Sequence, residues 1–151
     1  MRTLLLLLSA LLMMVLPLRG DAESATSNLV VIAHPASGVT TLEPSAAVNI
    51  FMGRYRKLPS GIVAFPIDIG EISAERKQFY DLLVGKDLAD IDAYWARLMF
   101  SGQASAPLQV PDGRTAVQLV AGNRAAIAYV DRELVDARVK VVMELAAKSR
   151  Q

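Results

Sequence analysis

Two segments of the chain carry small hydroxyl residues where a helix is predicted to begin. One contains Ser73 with Arg76 three positions later, and the other contains Ser37, Thr40 and Thr41. The first turn of a helix presents backbone N–H groups without acceptors, together with a partial positive charge. A hydroxyl and a guanidinium beside such a turn could hold an oxyanion. Serine is also a common helix cap, so a purely structural role explains the same residues.

The sequence offers little for catalysis or metal binding. It has one histidine, His34, and no cysteine, so a metal site would need several carboxylates, and none clusters near His34 in the sequence. A serine hydrolase would combine His34 with Ser37, which lacks the Gly-x-Ser-x-Gly turn that exposes a nucleophile. We therefore expect no enzymatic activity, no catalytic residue, no metal and no cofactor, and a small hydrolase is the weakest alternative.

Two clusters of like charge are explained by the elements predicted around them. Three carboxylates lie near the start of a predicted helix, where the helix dipole favours negative charge. They are Asp87, Asp90 and Asp92. Three basic residues lie on a loop that contains Pro and Gly, where such side chains are usually solvated. They are Arg54, Arg56 and Lys57.

The aromatic pair Tyr94 and Trp95 is a further candidate for ligand contact, since such rings stack on sugars and bases. The same pair falls at three- and four-residue steps from Ile91 and Leu98. That spacing is typical of the apolar stripe of a helix packed on a core. We interpret both rings as core residues.

The N-terminus has the pattern of a cleavable signal peptide. A basic start precedes the apolar run 4–16 and a small-residue cleavage pattern that ends at Ala22. Thirteen residues would form a helix of about 20 Å, which is shorter than the roughly 30 Å core of a bilayer, and Pro17 interrupts the run. We predict a signal peptide over residues 1–22 and a flexible start over residues 23–28.

Charge and cysteine content exclude further classes. The chain has 16 Lys and Arg against 15 Asp and Glu, and losing the leader would remove two basic and one acidic residue, which leaves 14 of each. A protein without net charge has no general attraction for nucleic acid or acidic membranes. The absence of cysteine excludes disulfides and a lipid-modified cysteine after the leader. We expect a periplasmic or secreted protein that is not membrane-embedded.

Strands alternate with helices through the rest of the chain. Runs of β-branched residues predict strands over residues 29–33, 62–65, 126–130 and 139–142. Predicted helices begin at caps or at a first-turn proline, and glycines end them. Their starts are Pro44, Ser73, Asp87 and Asp112, and their ends are Gly53, Gly85, Gly102 and Gly122. This pattern predicts one α/β domain over residues 29–145 with a largely parallel sheet, followed by a polar tail over 146–151.

Four segments, in this order, resemble the PstS-like phosphate-binding proteins of ABC transporters. They are residues 29–35 (Leu-Val-Val-Ile-Ala-His-Pro), 49–53 (Asn-Ile-Phe-Met-Gly), 73–79 (Ser-Ala-Glu-Arg-x-x-Phe) and 120–131, which contains Ala-Ile-Ala-Tyr. Residues 94–102 further resemble a short single-domain branch of this group. The resemblance covers residues 29–142 and implies a single lobe of the periplasmic-binding-protein type, with a mostly parallel sheet flanked by helices.

The resemblance also implies a function. Residues 73–76 are similar to the family's Ser-Gly-Thr-Arg segment, so Ser73 and Arg76 are expected to bind phosphate or another small oxyanion, with Ser37, Thr40 and Thr41 as the next candidates. The expected partners are an ABC permease or an envelope protein. Glu75 replaces a hydroxyl residue of the family, and its charge would repel phosphate. It favours the alternative, a periplasmic protein-interaction module that has lost ligand binding.

Overall fold

A five-stranded sheet and four α-helices form the described part, residues 27–146, of the computed structural model. The strands are β1 (Leu29–Ala33), β2 (Phe65–Ile69), β3 (Leu108–Val110), β4 (Ala126–Asp131) and β5 (Lys140–Glu144). The helices are α1 (Pro44–Phe51), α2 (Ala74–Val84), α3 (Leu88–Phe100) and α4 (Gly113–Gly122). The predicted signal peptide, residues 1–22, lies outside the described residues. Within them, no helix combines the length and apolar character needed to cross a bilayer.

The strand order is β3-β2-β4-β1-β5. Strand β2 pairs in parallel with β3 and β4, while β1 is antiparallel to β4 and β5. Four strands therefore run in one direction and β1 runs against them, which confirms the predicted α/β fold with a mostly parallel sheet flanked by helices. The apolar run of β1 reflects burial on both faces, and it carries no information about strand direction.

Strand β4 lies at the centre of the sheet, and its side chains divide the core into two layers. The Tyr129 ring stacks on Phe79 of α2 at a centroid distance of 3.8 Å, and Phe51 of α1 packs edge-on against the Phe79 ring. The next residue, Val130, points to the opposite face, where it lies near Gly113 at the start of α4. Helices α1 and α2 thus cover one face of the sheet, and α4 covers the other.

The second strand differs from the prediction. Residues 62–65 were predicted to be extended, with Pro66 ending the strand, but β2 runs from Phe65 to Ile69 and includes Pro66. Proline has no backbone N–H to donate to a neighbouring strand. It is tolerated at position 66 because the pairing of β2 with β3 begins only at the next residue, Ile67, so no hydrogen bond to β3 is lost. Because β2 begins and ends later in the sequence than predicted, Asp68 lies within the strand and is buried.

Both edges of the sheet are protected. The edge strand β3, which the sequence did not predict, has three residues and lies between Pro107 and Pro111. At the other edge, the backbone N–H of Leu42 donates to the carbonyl of Val142 in β5 at 2.8 Å. Short edges, prolines and covering loops are common ways of blocking further strand pairing.

The predicted helix boundaries are largely confirmed by their caps. Ser73, Asp87 and Asp112 each accept a hydrogen bond from the backbone N–H three residues later. Helix α1 begins at Pro44 as predicted, although the side chain of the preceding Glu43 makes no capping bond. These helices begin where the sequence supplies an oxygen acceptor or a fixed φ, so local chemistry was sufficient to place them.

Gly53 provides a test of the packing between α1 and α3. It has φ +68°, and a Cβ at this position would lie 2.8 Å from the Trp95 ring. Gly85 has φ +66° with no atom within 4 Å of its Cβ position, so it isolates backbone strain from steric overlap. We expect Gly53→Ala to reduce the free energy of unfolding by about 1–3 kcal/mol more than Gly85→Ala. Urea denaturation of both variants measures the difference, and equal losses would show that Trp95 moves aside freely.

Candidate functional site

Helix α2 begins after a short turn, residues 70–73, that follows the carboxyl end of β2. The Ser73 hydroxyl donates to the carbonyl of Ile69 at 2.9 Å and accepts from the backbone N–H of Arg76 at 3.0 Å. Its only proton is therefore committed to the main chain. The N–H groups of Ala74 and Glu75 have no acceptor among residues 27–146, and both residues are exposed. This helix start is open to solvent and presents two backbone donors.

Arg76 is held from three sides. Its Nε donates to Asp68 Oδ2 at 2.9 Å, its Nη1 to the carbonyl of Glu71 at 2.8 Å, and its Nη2 to Asp92 Oδ1 at 2.8 Å. The side chain is only 2% exposed. A guanidinium has five N–H donors, so two remain for another acceptor.

The charge of Arg76 is stabilised by these partners. Burial alone would lower the pKa of Arg76, but hydrogen bonds to Asp92 and Asp68, together with the charges of these residues, outweigh burial and raise the pKa above its ordinary value. Asp92 was predicted to serve the dipole of α3, and instead it links α3 to Arg76. Asp87 caps that helix as predicted.

Asp68 is the centre of this network and was not identified from the sequence. It is 2% exposed and accepts hydrogen bonds from the hydroxyls of Tyr129 and Tyr80, as well as from the Ile69 N–H. Burial, followed by the negative charge of Asp68, raises the pKa of both tyrosines above the ordinary value. A carboxylate between Ile67 and Ile69 in a buried strand was the available signal, because such a group requires charged or hydrogen-bonding partners.

A cavity of about 400 Å³ adjoins the guanidinium on the side of α3 and β3. Its walls include Asp68, Asp92 and Met99, together with Trp95, whose buried Nε1 has no acceptor among the described residues. Asp68 and Asp92 bring two negative charges against one positive charge on Arg76. Added negative charge is therefore disfavoured at the guanidinium itself, and the backbone donors of α2 become the more favourable contact for an anion.

The remaining predicted residues lie elsewhere. Strand β1 runs antiparallel to β2, so the carboxyl ends of these strands lie at opposite ends of the sheet. The loop with Ser37, Thr40 and Thr41 follows β1 and therefore lies at the other end of the strands from Ser73. Ser37 is buried and accepts from the Val39 N–H at 3.3 Å, and the two threonines are exposed next to β5. No small ligand can touch both groups.

His34 and Glu75 have simple environments. The His34 Nδ1 accepts from the Ala36 N–H at 2.9 Å and caps a short 3₁₀ turn, and no cluster of metal-binding side chains occurs in residues 27–146. The Glu75 carboxylate is exposed and forms no hydrogen bond or ion pair within the same range. The side chain is therefore not held across the helix start by any such bond, and it adds a negative charge beside it.

The fold is that of the periplasmic-binding-protein-like α/β proteins, as the sequence resemblance predicted. The similar solved structures include an ABC-type phosphate transport receptor from Vibrio cholerae, with 18% identity and a TM-score of 0.60 over 76% of this chain and 44% of that chain. A putative phosphate ABC transporter substrate-binding protein with bound phosphate from Clostridium perfringens has 20% identity and a TM-score of 0.57, covering 76% and 43%. PstS from Borrelia burgdorferi has 13% identity and a TM-score of 0.56, covering 82% and 48%.

These likenesses concern the fold. The chain spans less than half the length of each of the three solved structures. No protein-family model matches the sequence, and no curated protein matches it.

Proposed function

We propose that this chain is a non-enzymatic binding lobe for a small oxyanion, with phosphate as the first candidate, related to the substrate-binding component of a phosphate transporter. The open start of α2 carries the proposal. It presents the free N–H groups of Ala74 and Glu75 beside the buried Arg76. The likeness to transport proteins that include one with bound phosphate supports the same ligand class.

Each residue of the site has a distinct part in this proposal. Ser73 fixes the first turn of α2, so the two free amides point to one place. Arg76 supplies a buried positive charge beside these amides, and Asp68 with Asp92 holds the guanidinium in position. The proposed site does not include Ser37, Thr40 and Thr41, because they lie at the other end of the strands. We expect weak binding, since the positive charge of Arg76 is already compensated.

Export is part of the same proposal. The leader pattern at residues 1–22 supports a periplasmic or secreted location, and a lobe of this type would act with an ABC permease or with another envelope protein. A partner that supplies the facing wall of the site would tighten binding, since ligand pockets usually bury most of the ligand surface.

Glu75 allows the anion site to be tested without disturbing the core. Glu75→Gln removes one negative charge beside the free amides, and we expect about five-fold tighter phosphate binding. The matched control is Glu43→Gln, which changes the net charge equally at the start of α1, beside β5. Isothermal titration of the full chain with phosphate measures both. Absence of binding at millimolar phosphate, or equal affinities of the two variants, would contradict the proposal.

A second candidate function is supported by the ion pairs that Arg76 forms with carboxylates of the same chain. If the ion pairs with Asp68 and Asp92 replace a ligand, the lobe serves as a docking module for an envelope protein. Ile72, 92% exposed next to the site, would then be a contact residue. Recovery of one stoichiometric envelope partner, together with no response to phosphate, would favour this function over the first.

A further inference from the structure

A second cavity, of about 700 Å³, lies between the ends of α1 and α2 and one side of α3. Its floor is apolar and includes Val48, Met52, Leu83, Val84 and Ile91. Helix α2 has 11 residues and is about 16 Å long. This cavity is at its carboxyl end, whereas the proposed oxyanion site is at its amino end. The two sites are separate.

The rim of this cavity is positively charged. Arg54, Lys86 and Arg97 line it, and Asp90 is the one carboxylate among the lining residues. Asp90 lies 3.5 Å from Lys86, and both side chains are more than half exposed. Arg54 and Arg97 have no carboxylate within 4 Å among residues 27–146. Two uncompensated guanidinium groups therefore border an apolar floor.

The aromatic wall of the cavity is fixed. The Tyr94 hydroxyl donates to the carbonyl of Met52 at 2.7 Å, which ties α3 to the end of α1. The Arg97 guanidinium lies 5.8 Å from the centre of the Tyr94 ring, so the cation is held at the rim by its contact with the ring. The hydrogen bond to Met52 and the contact with Arg97 thus hold the Tyr94 ring in place.

We propose that this cavity binds an acidic amphiphile, a small molecule with an apolar body and one anionic group. Charge complementarity identifies the occupant: the apolar body covers Val84 and Ile91, while the anionic group meets Arg54 and Arg97. A volume of about 700 Å³ is within the range of small-molecule pockets. The balanced charge of the chain as a whole does not favour a membrane surface. This inference does not depend on the proposed oxyanion function.

Decanoate is a suitable probe, and nonyltrimethylammonium reverses its charge at an equal length of alkyl chain. Isothermal titration of the full chain should show saturable binding of one decanoate and much weaker binding of the cation. The double variant Arg54→Gln/Arg97→Gln should weaken decanoate binding about ten-fold. The matched double variant Arg114→Gln/Arg124→Gln, with the same charge change on exposed residues outside the cavity, should bind decanoate as the unmodified chain does.

Several results would overturn the inference. Equal decanoate affinities of the two double variants would do so, as would equal binding of the cationic probe. Binding to anionic vesicles without saturable binding of monomeric decanoate would identify a membrane surface instead. Phosphate titration of the same variants separates this site from the oxyanion site, because Arg54→Gln/Arg97→Gln should leave phosphate binding unchanged.

Discussion

Replacing Arg76 by alanine is expected to lower the free energy of unfolding by about 3–5 kcal/mol. The substitution leaves Asp68 buried without its cation, and removing one partner of a buried ion pair has a cost of this size. Asp92 loses little, because its side chain is 61% exposed. Urea denaturation followed by the fluorescence of Trp95, the single tryptophan, measures the loss.

Two further variants separate the buried charge from the loss of packing. Arg124→Ala removes an exposed arginine and should change stability by less than about 0.5 kcal/mol. The double variant Asp68→Asn/Arg76→Met removes both charges and should recover at least half of the loss. A loss below about 1 kcal/mol for Arg76→Ala would mean that Asp68 is satisfied by its tyrosines alone. This expected instability is also why Glu75, rather than Arg76, is the better residue for the binding test.

The second large effect is a steep loss of stability above about pH 10. The pKa values of Tyr80 and Tyr129 are raised in the folded protein, while in the unfolded chain tyrosine ionises near pH 10. Below that pH both states keep the protons, so the contribution of the tyrosines is complete. Above it the unfolded chain releases protons that the native state retains, so stability falls by about 1.4 kcal/mol per pH unit for each tyrosine.

Urea midpoints between pH 9 and pH 11 measure this slope. Tyr80→Phe should reduce the part of the slope due to the buried tyrosines by about half, because one phenol no longer titrates. Tyr55→Phe is the control, since Tyr55 is exposed and does not contact Asp68. A slope unchanged by Tyr80→Phe would show that this phenol ionises in the folded protein as readily as in the unfolded chain.

Local sequence signals were sufficient for the helices and insufficient for the site. Ser73, Asp87 and Asp112 cap their helices through bonds that span three residues, so the sequence alone reveals them. The network around Asp68 joins residues that are 8, 12 and 61 positions apart. No periodicity links such residues, because the contact of Asp68 with Tyr129 depends on which strands become neighbours, and its contacts with Arg76 and Tyr80 depend on how α2 packs on the sheet.

Strand direction explains why the predicted hydroxyl residues separate into two groups. The segment containing Ser37 and the segment containing Ser73 both follow a strand. In a fully parallel sheet both would lie at the carboxyl ends of the strands. Strand β1 is reversed relative to β2, so the two segments lie at opposite ends of the strands. The sequence gives no sign of this reversal, because β1 is buried on both faces and its apolar run would be the same in either direction.

The protected edges of the sheet restrict how this lobe can join another. A continuous sheet shared by two molecules is disfavoured, since β3 has proline on both sides and Leu42 already bonds to β5. In the proposed function, a partner that covers the anion site is therefore expected to contact a surface of helix ends and loops rather than to extend the sheet. The start of α2 belongs to such a surface, so release of the ligand would require no break in the sheet.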